Sequence, residues 1–184
     1  TISEWRTRWN LRINGLSFIE RLGLFGELVV LRDLLVSNKI DSTENWTARK
    51  QGDGLHDFVF DSQKFEVKTT LRSEGEIHIF HEHQMHHQEE LFLLLLKVDI
   101  FENGESIDEV CNDITSKINS EQEIDFLAKL SNSGFVFGKY TTDRFIIRAK
   151  KYWKSLTDSP FIQPEDIRQD INRPKDINYY VLES

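Results

Sequence analysis

The chain has 184 residues, 39% hydrophobic and 11% aromatic, enough for one globular domain with a real core and against disorder as its resting state. Its formal net charge of -8 excludes a protein that coats nucleic acid by bulk electrostatics, so any DNA binding has to come from a local basic surface. The single cysteine, Cys111, rules out an internal disulfide and a thiolate zinc site and points to a reducing, cytoplasmic compartment.

No run approaches the roughly 18 apolar residues of a membrane span. The chain begins at Thr1 and enters helical sequence at once, which suggests that upstream sequence is missing. Residues 2–12 place Trp5 and Trp9 four apart among Arg6, Arg8 and Arg12, a short amphipathic helix whose arginines either touch phosphate or are simply solvated. Residues 16–36 give the strongest helical pattern. Phe18, Leu22, Phe25 and Val29 form one stripe and Leu24, Leu28, Leu31 and Leu35 another, so the helix is apolar over a wide arc and must be largely buried. In its middle stands Glu27, a charge that needs a partner. Gly23 and Gly26 each cost about 1 kcal/mol of helix propensity, a penalty tolerated where another backbone comes close. This predicts a helix packed on the next element and aiming Glu27 at it. An ordinary pairing of Glu27 with Arg32 or Lys68 is the other reading.

Residues 41–54 are polar and turn-rich, with Trp46 as anchor and Gly52-Asp53-Gly54 as either a flexible bend beside a substrate or a plain connection. Residues 57–60 and 64–69 then read as two strands of a hairpin around Asp61-Ser62-Gln63. Strand alternation puts Glu66 and Lys68 on one side and Phe65, Val67 and Thr69 on the other, with Asp57 beside the first pair across the hairpin. Partly buried acids among Phe58, Val59, Phe60, Phe65 and Val67 need compensation. A hard divalent cation held by carboxylate oxygens and water is one solution, and a plain Glu66–Lys68 ion pair the other.

After the hairpin, Thr69, Thr70, Arg72 and Ser73 are donors that could hold phosphate oxygens, although turn chemistry alone would explain Ser73 and Gly75. Residues 76–80 form a third strand, followed by histidines at His78, His81, His83, His86 and His87. No cysteine or spaced carboxylate completes a zinc set with them, and His78 is the one placed to act near the hairpin, on phosphate or as a proton relay. Residues 90–101 read as a long central strand. Residues 106–119 form a helix capped by Ser106 and Glu109 with Ile107, Val110, Cys111, Ile114 and Ile118 inward, and residues 121–131 another with Ile124, Leu127 and Leu130 inward. From Asp99 to Asp125 nine acids face Lys117 alone, a surface expected to point away from DNA. In residues 143–154, Phe145, Ile147 and Ala149 alternate with Arg144, Arg148 and Lys150, and Lys154 follows. This is either a basic face that tracks a DNA backbone or a solvated strand face. Residues 177–182 supply a last strand. The element order suggests one α/β domain over 1–184 with a mixed central β-sheet flanked by α-helices.

Asp57 followed by Glu66-Val67-Lys68 resembles the signature of the PD-(D/E)XK nuclease superfamily. Within it, the chain resembles a bacterial group known by that motif and commonly encoded beside restriction and modification genes. Leu22-Gly23-Leu24-Phe25-Gly26-Glu27-Leu28, His56-Asp57-Phe58, Phe65-Glu66-Val67-Lys68-Thr69-Thr70 and Ile177-Asn178-Tyr179-Tyr180 carry the narrower likeness. His56 stands where the motif has proline. The resemblance implies a restriction-endonuclease-like fold and Mg2+-dependent hydrolysis of DNA, with Mn2+ as a substitute, in restriction or phage defence. It makes Asp57 and Glu66 metal ligands, Glu27 a further ligand directly or through water, and Lys68 the group that orients water or stabilises the phosphoryl charge. Gln84 is similar to the helix glutamine that some of these nucleases place beside the lysine. DNA recognition is expected outside the hairpin: in the Arg144 to Lys154 face, in a homodimer mate, in defence-system partners or in upstream sequence. The rival readings are a nuclease-like module that binds DNA or protein without cutting, and a histidine-rich metalloprotein unrelated to nucleic acid.

Overall fold

The structure, a computed structural model, describes residues 15–48, 56–60, 63–71, 76–79, 90–154 and 179–182. Residues 2–12, the bend at Gly52 to Gly54, Arg72, Gln84 and the histidines from His81 to His87 lie outside them. Helix α1 (Phe18–Val36) is opened by Ser17, whose hydroxyl accepts the Glu20 N–H while the Glu20 carboxylate accepts the Ser17 N–H. Two donors that a helix start leaves unsatisfied are thus paired. The wide apolar arc is buried as the pattern requires, Leu22, Leu24, Phe25, Leu28, Val29, Leu31 and Leu35 all lying inside.

Strand β1 (Phe58–Phe60) pairs antiparallel with β2 (Gln63–Leu71), Phe58 opposite Phe65. Strand β3 (Glu76–Ile79) pairs antiparallel with β6 (Tyr179–Leu182) in a separate two-stranded ribbon, His78 opposite Tyr180. The main sheet takes β2 parallel to β4 (Glu90–Ser106) and β4 antiparallel to β5 (Arg144–Lys154), in the order β1-β2-β4-β5. Strand β4 is central, and Phe92, Leu93, Leu95 and Leu96 are buried on both of its faces, which is why its sequence is a continuous apolar run.

Helix α1 lies against β2 at Gly26. A Cβ there would meet Thr69 Oγ1 at 1.8 Å and Thr69 Cβ at 3.0 Å, so a glycine is what lets the helix come this close. Helix α2 (Ile107–Thr115) begins at the expected Ser106 and Glu109 cap and buries Ile107, Val110, Cys111 and Ile114. Helix α3 (Ser120–Ser133) corrects the pattern read from sequence. Phe126, Leu130 and Ser133 face inward, whereas Ile124 is 72% and Leu127 36% exposed. The reason is a tertiary contact: Phe126 packs on Trp46 with ring centroids 5.7 Å apart, and that face of the helix is the one buried. Among the described residues no helix is long and apolar enough to cross a membrane.

Candidate active site

Register fixes which groups meet. In the β2–β4 pairing Glu66 lies opposite Leu93 and Lys68 opposite Leu95, while Val67 and Thr69 lie opposite Leu94 and Leu96. Since Thr69 touches Gly26, the Val67–Thr69 face is the helix side, and Glu66 and Lys68 project from the other. Lys68 Nζ stands 2.6 Å from Glu66 Oε1, so the same-face placement read from alternation is realised as a close ion pair. His56 Nδ1 lies 3.8 Å from the other Glu66 oxygen, with His56 and Glu66 both buried.

Asp57 stands just before β1. The regular ladder ends at Phe58, and beyond it the Val67 N–H donates to Asp57 Oδ2 at 2.7 Å. A side-chain carboxylate thus takes the place of the next backbone acceptor. Burial, then the charges of Glu27 and Glu66, push the Asp57 carboxyl well above the usual carboxylate range; Lys68 and the Val67 N–H pull only partly against them. Burial also pushes Glu66 up, but Lys68 and His56 outweigh it and hold Glu66 below its ordinary value. Glu27 is 3% exposed and accepts the Trp46 indole N–H at 3.0 Å. Arg32, one partner considered for Glu27, binds Glu105 and Asp113 instead, at 2.5 and 3.1 Å.

Glu27, Glu66 and Lys68 are therefore each brought near enough to Asp57 to act on its charge. The basic strand is not. Lys97 pairs with Ala149 and Val98 with Ile147, leaving Arg148 as the extra residue of a bulge that breaks the alternation. The expected cations then go to separate carboxylates: Arg144 to Glu109 at 2.8 and 2.9 Å, Arg148 to Asp99 at 2.8 Å and Lys150 to Asp33. Two acids of the 99–125 surface, Asp99 and Glu109, thus hold two of these very cations. Lys154 lies opposite Phe92 at the end of β5.

Sequence reasoning missed Trp46 and His56 as parts of the site. Trp46 is fully buried and forms a bridge with Phe58, beside a Thr47 N–H to Asp57 carbonyl bond of 3.0 Å and a Val59 N–H to Asn45 carbonyl bond of 2.9 Å. The available signal was a tryptophan in an otherwise polar loop, and for His56 its replacement of the motif proline.

Hard oxygen donors surrounding a carboxyl that burial and two neighbouring acids hold high fit a hard divalent cation in chemistry and charge. Among the described residues no three His, Cys, Asp or Glu side chains already stand at metal-ligand spacing. That is compatible with Mg2+, which takes one or two carboxylates and keeps several waters rather than filling an all-protein cage.

A mixed four-stranded sheet backed by α1, with an acid at the hairpin entry and a Glu-x-Lys pair on the next strand, defines an α/β fold of the restriction-endonuclease-like class. The chain belongs to the family described as "Putative PD-(D/E)XK family member, (DUF4420)", whose model matches residues 1–181. Comparison with curated proteins and with solved structures returned no match.

Proposed function

We propose that this protein is a metal-dependent deoxyribonuclease that hydrolyses DNA phosphodiester bonds in restriction or phage defence. The observation that carries this reading is the Asp57 carboxyl, driven up by burial beside Glu27 and Glu66 at the motif position of a nuclease family. Asp57 and Glu66, with Glu27 directly or through water, would hold Mg2+, and Mn2+ would substitute. The bound cation would supply Lewis-acid polarisation of a nonbridging phosphate oxygen and a water of lowered pKa. Lys68, anchored by Glu66 at 2.6 Å, can turn its remaining donors toward the attacking water or the charge that builds on phosphate. The Val67 N–H keeps one Asp57 oxygen oriented. Arg72 and His78 are the proposed phosphate contacts nearest the hairpin in sequence. Arg144, Arg148, Lys150 and Lys154 would join a DNA surface only as phosphate displaces the carboxylates that hold the first three.

The closeness of the Lys68–Glu66 pair favours one second reading, a nuclease-like module that binds DNA or a protein partner without cutting and uses the pair as a structural link. Cleavage of unmodified and methylated plasmid and phage DNA with Mg2+ or Mn2+ separates the two. The nuclease reading expects cleavage by wild type that Asp57→Ala and Lys68→Ala each abolish. Absence of cleavage together with absence of carboxylate-dependent metal binding would make the non-cutting reading the better one.

A further inference from the structure

A buried indole N–H usually finds some acceptor, and a backbone carbonyl would serve the packing of Trp46 equally well. Here it is given a carboxylate, Glu27, at 3.0 Å, inside the site. An indole donor orients a carboxylate without cancelling its charge, unlike an arginine or lysine. The ring itself is held from several sides. Phe126 of α3 packs on it, Trp46 bridges Phe58, and the flanking Asn45 and Thr47 are bonded to Val59 and Asp57. Thr47 Oγ1 also donates to the His56 carbonyl at 2.6 Å. Behind this strap, Lys129 and Gln122 of α3 donate to the carbonyls of Thr43 and Asp41, each at 3.1 Å. The neighbouring Ala48 is buried at φ +45°, a left-handed conformation that a non-glycine residue adopts only when its surroundings enforce it.

We propose that Trp46 is a positioning residue of the site: its N–H sets the Glu27 carboxylate while the strap that carries it sets Asp57, so one short segment fixes two acids from different elements relative to each other. This rests on the reading of Glu27 as a cation ligand. Its role is orientation, and the group it orients is a carboxylate for a hard divalent cation.

The test is a calorimetric Mn2+ titration of the full chain as wild type, Trp46→Phe, Glu27→Gln and the double variant, each checked for folding by circular dichroism. Phenylalanine keeps most of the packing and removes the donor. The expected result is a loss of Mn2+ affinity in Trp46→Phe of about 10-fold, the low end of what removing a ligand's hydrogen-bonding partner does. No further loss is expected when Trp46→Phe is added to Glu27→Gln. If Trp46→Phe fails to fold, benzothienylalanine at position 46, which keeps the ring shape and lacks the N–H, replaces it in the same titration. Wild-type affinity in the folded donor-less variant, or losses that multiply in the double variant, would overturn the proposal while leaving the metal site standing. A wild type that binds no Mn2+ would overturn the metal reading itself, and the Trp46 proposal with it.

Discussion

Around β4 and α2, carboxylates stand near the surface and are met by well-matched cations, Glu105 and Asp113 by Arg32, Glu109 by Arg144 and Asp99 by Arg148. At the β1–β2 hairpin the arrangement is the reverse: Asp57 is enclosed with Glu27 and Glu66, and its carboxyl is driven up because the acids and burial outweigh Lys68. The exposed pairs add little to stability, since solvent screens them and each long side chain loses freedom on pairing. The enclosed Asp57 carboxyl is a standing cost to folding at neutral pH. Such a raised carboxyl is what marks a candidate site, and the contrast sets the proposed active acids apart from those that pair on the surface.

The comparison breaks most sharply at Glu66. Glu66→Ala should lower cleavage by at least about 100-fold, the scale of losing a group that stabilises charge in a transition state, and should release Lys68 from its anchor. A single-turnover assay with saturating Mg2+ reads this loss, and retention of cleavage would move Glu66 into the scaffold group. Next comes Gly26→Ala, where the new methyl has to displace Thr69. Its expected cost is about 1–3 kcal/mol in urea unfolding, partly recovered by Thr69→Ala. Metal affinity should fall with it, because Glu27 follows Gly26 on α1. The smallest effect belongs to Arg32→Met, which frees two largely exposed acids. A change of no more than about 1 kcal/mol, with Mn2+ affinity intact, is expected.

How much of this was legible in sequence follows from distance along the chain. The hairpin, the shared face of Glu66 and Lys68, the buried helix carrying Glu27 and the central β4 are written in local periodicity, and these features are present. The Trp46 to Glu27 bond joins residues 19 apart through tertiary packing, for which no local pattern exists. The bulge at Arg148 is equally hidden, because one inserted residue shifts every later side chain to the opposite face while the residue order still alternates. For α3 the spacing of Phe126, Leu130 and Ser133 was present in the sequence. Ile124 and Leu127 lie on a neighbouring face of the same helix and are as apolar as Leu130, so periodicity alone does not say which of the two faces meets Trp46.

The direction of the Asp57 shift gives a pH dependence of known sign. With its pKa raised in the folded state, Asp57 keeps its proton over a range where the unfolded chain has already lost it. Stability therefore falls as pH rises from the ordinary value of 3.8 through the raised one, and the penalty persists at neutral pH. Glu66, lowered in the folded state, contributes stability above its ordinary value of 4.5 and loses it as pH falls through the depressed one. A cation bound to the site should remove the Asp57 penalty by favouring the ionised form.

The most direct test is the thermal midpoint of wild type and Asp57→Asn at neutral pH, in chelator and then in Mg2+. In chelator Asp57→Asn should melt higher than wild type by a few degrees, because it removes the free-energy penalty that the raised Asp57 pKa imposes at neutral pH. In Mg2+ wild type should gain more than the variant, narrowing or reversing that order by ligand linkage. An Asp57→Asn variant that is less stable in chelator, or equal shifts of both proteins on adding Mg2+, would contradict the account.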